Sequence, residues 1–183
     1  MCKILFFTCI FLNIFNILQA SLKDEIILNL KKTENLSFNF KQSTNGRIEI
    51  GNCIIKYPKK IWCSYQKRKL LVSDGKILII KNIINDQQYS YPLEKTPLKL
   101  ILDKEYLINQ IKFLNGQLVE NKYLKFTLKN TQYEINIFFN SKTADLIGWR
   151  TEDIYQNLVI TFISSLKYNN IINDKIFKLP KIN

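Results

Sequence analysis

From Gly51 to Ile80 (GNCIIKYPKKIWCSYQKRKLLVSDGKILII) large apolar side chains recur at nearly every second position, the period of strands with one buried face. Pro58 has no N–H for a central ladder, so it closes one strand and opens a reversal. Asp74-Gly75 reads as a two-residue type I′ turn, because that turn needs positive φ at both central residues. The stretch predicts an antiparallel meander on which the rest of the chain packs.

Upstream, Leu22, Ile26, Ile27 and Leu30 fall at helical spacing and Ser21 with Asp24 resembles a capping box, so Ser21 to Lys32 reads as an amphipathic helix. The period then drops to two: Leu36, Phe38 and Phe40 alternate with Ser37, Asn39 and Lys41. Ser43-Thr44-Asn45-Gly46 is a turn, and Gln88 to Pro92 reads as a strand with Tyr89 and Tyr91 on one face. Thr96-Pro97 opens a helix, since proline is favoured at the first helical position, and Asp103 caps a second one through Ile111. Leu118-Val119, Tyr123 to Leu128, Tyr133 to Phe139, Leu146 to Thr151 and Leu158 to Tyr168 read as five more strands. Ile176 to Leu179 reads as a last edge segment. About ten strands, interrupted by helices and not alternating with them, predict a mainly β, α+β fold: an antiparallel barrel or sandwich.

The first residues change the picture. Met1-Cys2-Lys3 is a short basic start, Ile4 to Leu18 is apolar apart from Thr8, Asn13 and Asn16, and Ala20 supplies a small last residue. Residues 1–20 therefore read as an export signal, with a buried helix or an uncleaved anchor as the competing readings. Residues 21–183 then form one exported domain, long enough to bury a core. The net charge of +12 fits nucleic acid or an anionic surface. Yet the lysines are scattered, clustering only at Lys59-Lys60 and Lys67-Arg68-Lys69, so a solvated basic surface is the simpler reading. Export argues against a nucleic-acid partner. Cys53 and Cys63 flank Pro58 on neighbouring strands, which leaves open both a cross-strand disulfide and two buried thiols.

Candidate chemistry is sparse. The chain has no histidine, which removes Ser-His-Asp and Cys-His catalysis and most zinc sites. Its five glycines are spread singly, without a phosphate-cradling loop. Asp24-Glu25 and Glu152-Asp153 are adjacent carboxylates that point apart and read as surface charges. No enzymatic activity, metal or cofactor is expected. A curved sheet of about ten strands, however, encloses more volume than its own side chains fill, and the surplus is where a ligand would sit.

Several segments now line up. Val72-Ser73-Asp74-Gly75-Lys76, the Pro58-to-Trp62 spacing, Thr96-Pro97-Leu98 after Tyr91-Pro92, the late Phe177 and the opening Leu36 to Gln42 occur in an order that resembles the outer-membrane lipoprotein carrier proteins, the LolA-like family. The resemblance spans essentially the whole chain beyond the signal. It implies an unclosed antiparallel β-barrel with a helical lid over an apolar cavity, a monomer located in the periplasm. It further implies acylated lipoproteins as cargo, an inner-membrane lipoprotein-releasing transporter as donor and an outer-membrane lipoprotein acceptor as recipient. Phe38, Phe40, Trp62, Leu98, Ile101 and Leu102 are then expected to line the pocket or the underside of the lid. One departure stands out. Many family members carry an arginine directly before this proline as a lid tether; here Tyr57 holds that place, and its hydroxyl offers one hydrogen bond but no charged fork. The alternative is an exported β-rich domain with a filled core that binds another protein through an exposed strand edge.

Overall fold

The computed structural model describes residues 22–153 and 155–181; the expected export signal and the Ser21 cap lie outside them. Helix α1 (22–32) buries Ile26, Ile27 and Leu30 on one face, as its spacing predicts. A first meander follows: β1 (Asn35–Thr44), β2 (Arg47–Lys56), β3 (Lys60–Tyr65), β4 (Lys69–Ser73), β5 (Ile77–Asn82) and β6 (Gln88–Pro92). The chain then leaves the sheet through a 3-10 turn (Leu93–Lys95), α2 (Lys99–Leu102) and α3 (Lys104–Phe113). It returns as β7 (Gln117–Val119), β8 (Tyr123–Lys129), β9 (Glu134–Asn140), β10 (Leu146–Glu152) and β11 (Leu158–Tyr168).

These strands form one 11-stranded sheet in the order β6-β5-β4-β3-β2-β1-β11-β10-β9-β8-β7. Each neighbouring pair is antiparallel. The two meanders are therefore sewn together by β1 and β11, while β6 and β7 are left as edges and the sheet is not closed. The helices connect one edge to the other, which puts them across the seam. That is why they interrupt the strand order in the sequence.

Local chemistry explains where the elements depart from the sequence reading. The two-residue type I′ turn is at Asn45-Gly46 (φ 47° and 81°), directly between the paired residues Thr44 and Arg47. Asp74-Gly75 instead belongs to a wider connection, because Ser73 pairs with Leu78. Its cause is the Asp74 carboxylate, which accepts hydrogen bonds from the N–H groups of Lys76 (2.8 Å) and Ile77 (3.0 Å). The helix expected from Pro97 is short, only Lys99–Leu102, since Asp103 starts a new one: its side chain accepts from the Tyr106 N–H at 3.1 Å and caps α3. The expected last edge segment is a 3-10 turn, Asp174–Phe177, capped by the Asn173 side chain.

The interior between the helices and strands β8 and β9 is filled. Leu100, Ile101 and Leu102 of α2 and Leu107, Ile108 and Ile111 of α3 share one buried cluster with Leu124, Phe126, Ile137 and Phe139 of β8 and β9. Lys104 Nζ donates to the Thr33 carbonyl (2.9 Å) and Lys23 Nζ to that of Lys112 (3.2 Å), so α1 and α3 lie side by side in opposite directions.

Candidate functional site: a graded hollow beneath the helices

Inside β1 to β6 and β10–β11 the sheet holds a half-open hollow of about 750 Å³. That lies within the roughly 300–1,000 Å³ typical of sites for small ligands. One end is closed by Pro97 and Leu98; the other opens among the exposed Asn45, Arg47 and Tyr155. Register fixes which side chains line it at each depth, because inward positions recur every second residue.

Most strands lining the hollow change from apolar to polar in the same direction; β11, with Thr161 opposite Gln42 and Val159 opposite Thr44 at the mouth, does not. Inward positions of β1 run Phe40, Gln42, Thr44 toward the mouth, and those of β2 run Cys53, Gly51, Glu49, Arg47 beside them. On β3 and β4 the sequence is Ile61, Cys63, Tyr65 beside Leu71, Lys69. On β5 it is Leu78, Ile80, Asn82, and on β10 Trp149, Thr151. The hollow is thus apolar under the helices and polar at its mouth.

Close packing shapes the apolar end. The Phe40 ring lies 4.8 Å from Tyr65, edge to face, and leans over its register partner Gly51. A Cβ at Gly51 would meet the Phe40 ring at 2.8 Å and the Ser64 carbonyl oxygen at 2.1 Å, so only glycine fits. Cys53 and Cys63 stand opposite each other in the β2–β3 ladder and are joined by a disulfide that forms part of the wall.

The sequence-derived residues separate into three groups. Phe40 and Leu98 line the hollow. Phe38, Ile101 and Leu102 are buried in the core cluster and do not line the hollow; the Phe38 ring packs edge-on against Trp149, 6.3 Å away. Trp62 lies on the opposite face of β3 from Ile61 and Cys63, in a row with Ile54, Val72 and Ile79. There the Asp174–Phe177 turn packs against β3, with Phe177 buried.

Tyr57 is buried, and burial pushes its phenol well above the ordinary range. Its hydroxyl meets no hydrogen-bond partner among the described residues. The bonds between the β2–β3 loop and the helices come from Lys59. Its main-chain N–H donates to the Leu102 carbonyl (2.9 Å), and its Nζ reaches Glu94 (3.2 Å) and Asp103 (3.3 Å). Across the seam, the Tyr133 hydroxyl donates to the Lys95 carbonyl at 2.5 Å.

Leu71, Leu78, Trp149, Tyr65, Glu49 and Lys69 also line the hollow, a place not expected for them from the sequence. Alternation along each strand carried the signal for the apolar ones. Lys69, read as part of a turn cluster, starts β4 facing inward.

An unclosed antiparallel sheet curled round a hollow, with helices across its seam, defines a class of β-barrel binding proteins. The family model for the outer membrane lipoprotein carrier protein LolA matches residues 31–180, and the chain belongs to that family. No protein of curated function matches it. Among solved structures it is similar to the LolA superfamily protein NE2245 from Nitrosomonas europaea (10% identity, TM-score 0.47, 88% of this chain and 97% of that one). A putative outer membrane lipoprotein-sorting protein domain from Vibrio parahaemolyticus is similar at 7% identity (TM-score 0.47, 84% and 94% covered). So is the Pseudomonas aeruginosa MucA/MucB complex, at 10% identity (TM-score 0.38, 88% and 61% covered).

Proposed function

We propose that this protein is a periplasmic carrier that shelters the acyl chains of lipoproteins in its hollow and ferries them from the inner to the outer membrane. It receives them from an inner-membrane releasing transporter and hands them to an outer-membrane acceptor. Family membership supports a lipoprotein-carrier fold. The observation that carries the reading is the hollow, apolar beneath Pro97 and Leu98 and polar at its mouth. Each methylene moved from water into such a wall contributes ~0.8 kcal/mol, so about ten give roughly 8 kcal/mol, micromolar affinity before ordering costs. Binding of that strength is compatible with release. The alternative, a protein-binding domain with a filled core, does not account for the empty volume.

Titration of the purified protein with an apolar fluorescent dye tests the reading. Saturable binding is expected, with displacement by a long-chain amphiphile and weakening in Ile80→Trp, which fills the hollow. Absence of saturable binding, together with no acylated protein co-purifying from cells, would refute it.

A further inference from the structure

One ion pair stands on the wall of the hollow. Lys69 Nζ donates to both carboxylate oxygens of Glu49, at 2.7 and 2.6 Å. It also sits 3.9 Å from the centre of the Tyr65 ring, bound by a cation–π contact. Glu49 lies on β2 and Lys69 on β4, so the pair reaches across the end of β3, where Tyr65 is the last residue. The side chains are only 25% and 29% exposed. Inward of them come Phe40, Leu71 and Ile80; Asn82 lies directly opposite Lys69 on β5, and outward come Arg47 and Asp153. The pair therefore marks the depth at which the wall turns from apolar to polar.

An amphiphile with its chain in the apolar end places its head at this depth. A partly desolvated ion pair is sensitive to what a ligand brings, because removing either partner leaves a charge uncompensated next to apolar surface. An anionic head drawn to Lys69 would lie against the Glu49 carboxylate. A purely cationic head drawn to Glu49 would lie against the Lys69 ammonium. A head carrying both charges replaces the pair with two new ones: its ammonium meets Glu49 and its anionic oxygen meets Lys69. No charge is then left alone. A neutral head leaves the pair intact and gains nothing from it.

Building on the acyl-chain reading above, we infer that Glu49 and Lys69 form a head-group site that selects amphiphiles with zwitterionic heads. The chemistry is an ammonium group close to an anionic oxygen, at the end of a fatty chain. Complementarity of this kind acts on selectivity more than on gross affinity.

The test uses three ligands of equal chain length, each displacing an apolar dye from the purified protein below its micelle concentration. They are lysophosphatidylethanolamine (zwitterionic), lysophosphatidylglycerol (anionic) and a monoacylglycerol (neutral). The zwitterion is expected to bind about tenfold more tightly than either of the others. Glu49→Gln and Lys69→Gln should each bring the zwitterion-to-neutral ratio to about one, whereas Lys69→Arg, which keeps the charge, retains the preference. Thermal unfolding of each variant shows that it is folded; if a variant is not, the ranking on the parent protein decides. Equal affinity for the three ligands, or the anion binding most tightly, overturns the head-group site while leaving the carrier reading standing. Failure of all three to displace the dye overturns both.

Discussion

The main-chain N–H of Lys59 donates to the carbonyl of Leu102 at 2.9 Å, tying the loop after Pro58 to the last turn of α2. The side chain of the same lysine reaches forward to Glu94 and to Asp103, the cap of α3. One residue thus holds three points of the helical lid. Lys59→Met removes the side-chain contacts and keeps the backbone one. Half-exposed, solvent-screened pairs at a loop contribute about 0–1 kcal/mol each, so global stability should change little. Amide hydrogen exchange at Leu100 to Asp103 is expected to quicken by about two- to fivefold, the same small energy read locally. Unchanged exchange there would show that the backbone bond suffices.

Acid should loosen the same clasp. The Glu94 carboxyl is held below its ordinary value of 4.5, chiefly by the hydrogen bond from Lys99 and then, against burial, by that from Lys59. A carboxylate with a depressed folded-state pKa adds stability above its unfolded value and loses it as pH falls through the folded value. Lys59 is raised above 10.5, first by its hydrogen bond to Glu94, so its share disappears only as pH rises past that range. Exchange at α2 should therefore be slowest relative to its intrinsic rate between about pH 5 and 10, and quicken below pH 4. In Glu94→Gln the acid-dependent part should shrink, the Asp103 carboxylate still joining Lys59 to the start of α3.

Tyr57→Phe removes a buried hydroxyl that has no partner among the described residues. Deleting an unsatisfied polar group is neutral or stabilising, by about 0–2 kcal/mol. The melting temperature should hold or rise, and exchange in α2 should not change. A lower melting temperature would mean that the hydroxyl is bonded after all.

Gly51→Ala places a methyl group between the Ser64 carbonyl and the Phe40 ring. Overpacking of this kind costs about 1–3 kcal/mol. The ring has open space on its other side, so it should swing into the hollow. Weaker dye binding and lower stability are expected together; a loss of stability with unaltered binding would place the strain in the backbone alone.

Reduction of the Cys53–Cys63 bridge frees a ten-residue separation in the chain. In the chain-entropy picture a loop of that size is worth about 2–3 kcal/mol. Cys53→Ala with Cys63→Ala should lower the free energy of unfolding by that amount. Thiol titration of the unfolded parent protein without reductant should find neither cysteine.

Much of the fold was legible because alternation is a local signal. Leu146 to Thr151 and Leu158 to Tyr168 were readable within a residue of the observed strands, with no knowledge of their partners. Turns were less so. Asp74-Gly75 has the residues of a type I′ turn, but the Asp74 carboxylate bonds two following N–H groups and widens the loop. For the hollow, residue type misled where strand parity would have served. Trp62 is large and aromatic, yet its neighbours Ile61 and Cys63 hold the inward positions. Trp62→Ala should accordingly leave dye binding intact while loosening the Asp174–Phe177 turn, as seen by faster proteolysis of the C-terminal segment. The Glu49–Lys69 pair was beyond reach, since its partners are separated by a whole strand.

The unpaired borders of the sheet have a mechanical consequence. In a closed barrel, strand number and stagger set the diameter. Here β6 and β7 never meet, and the gap is spanned by short helices and contacts such as Tyr133 with Lys95. The girth of the vessel is therefore adjustable: the borders can part or approach without breaking a single rung between strands. A hollow bounded in this way has no diameter dictated by strand number and stagger.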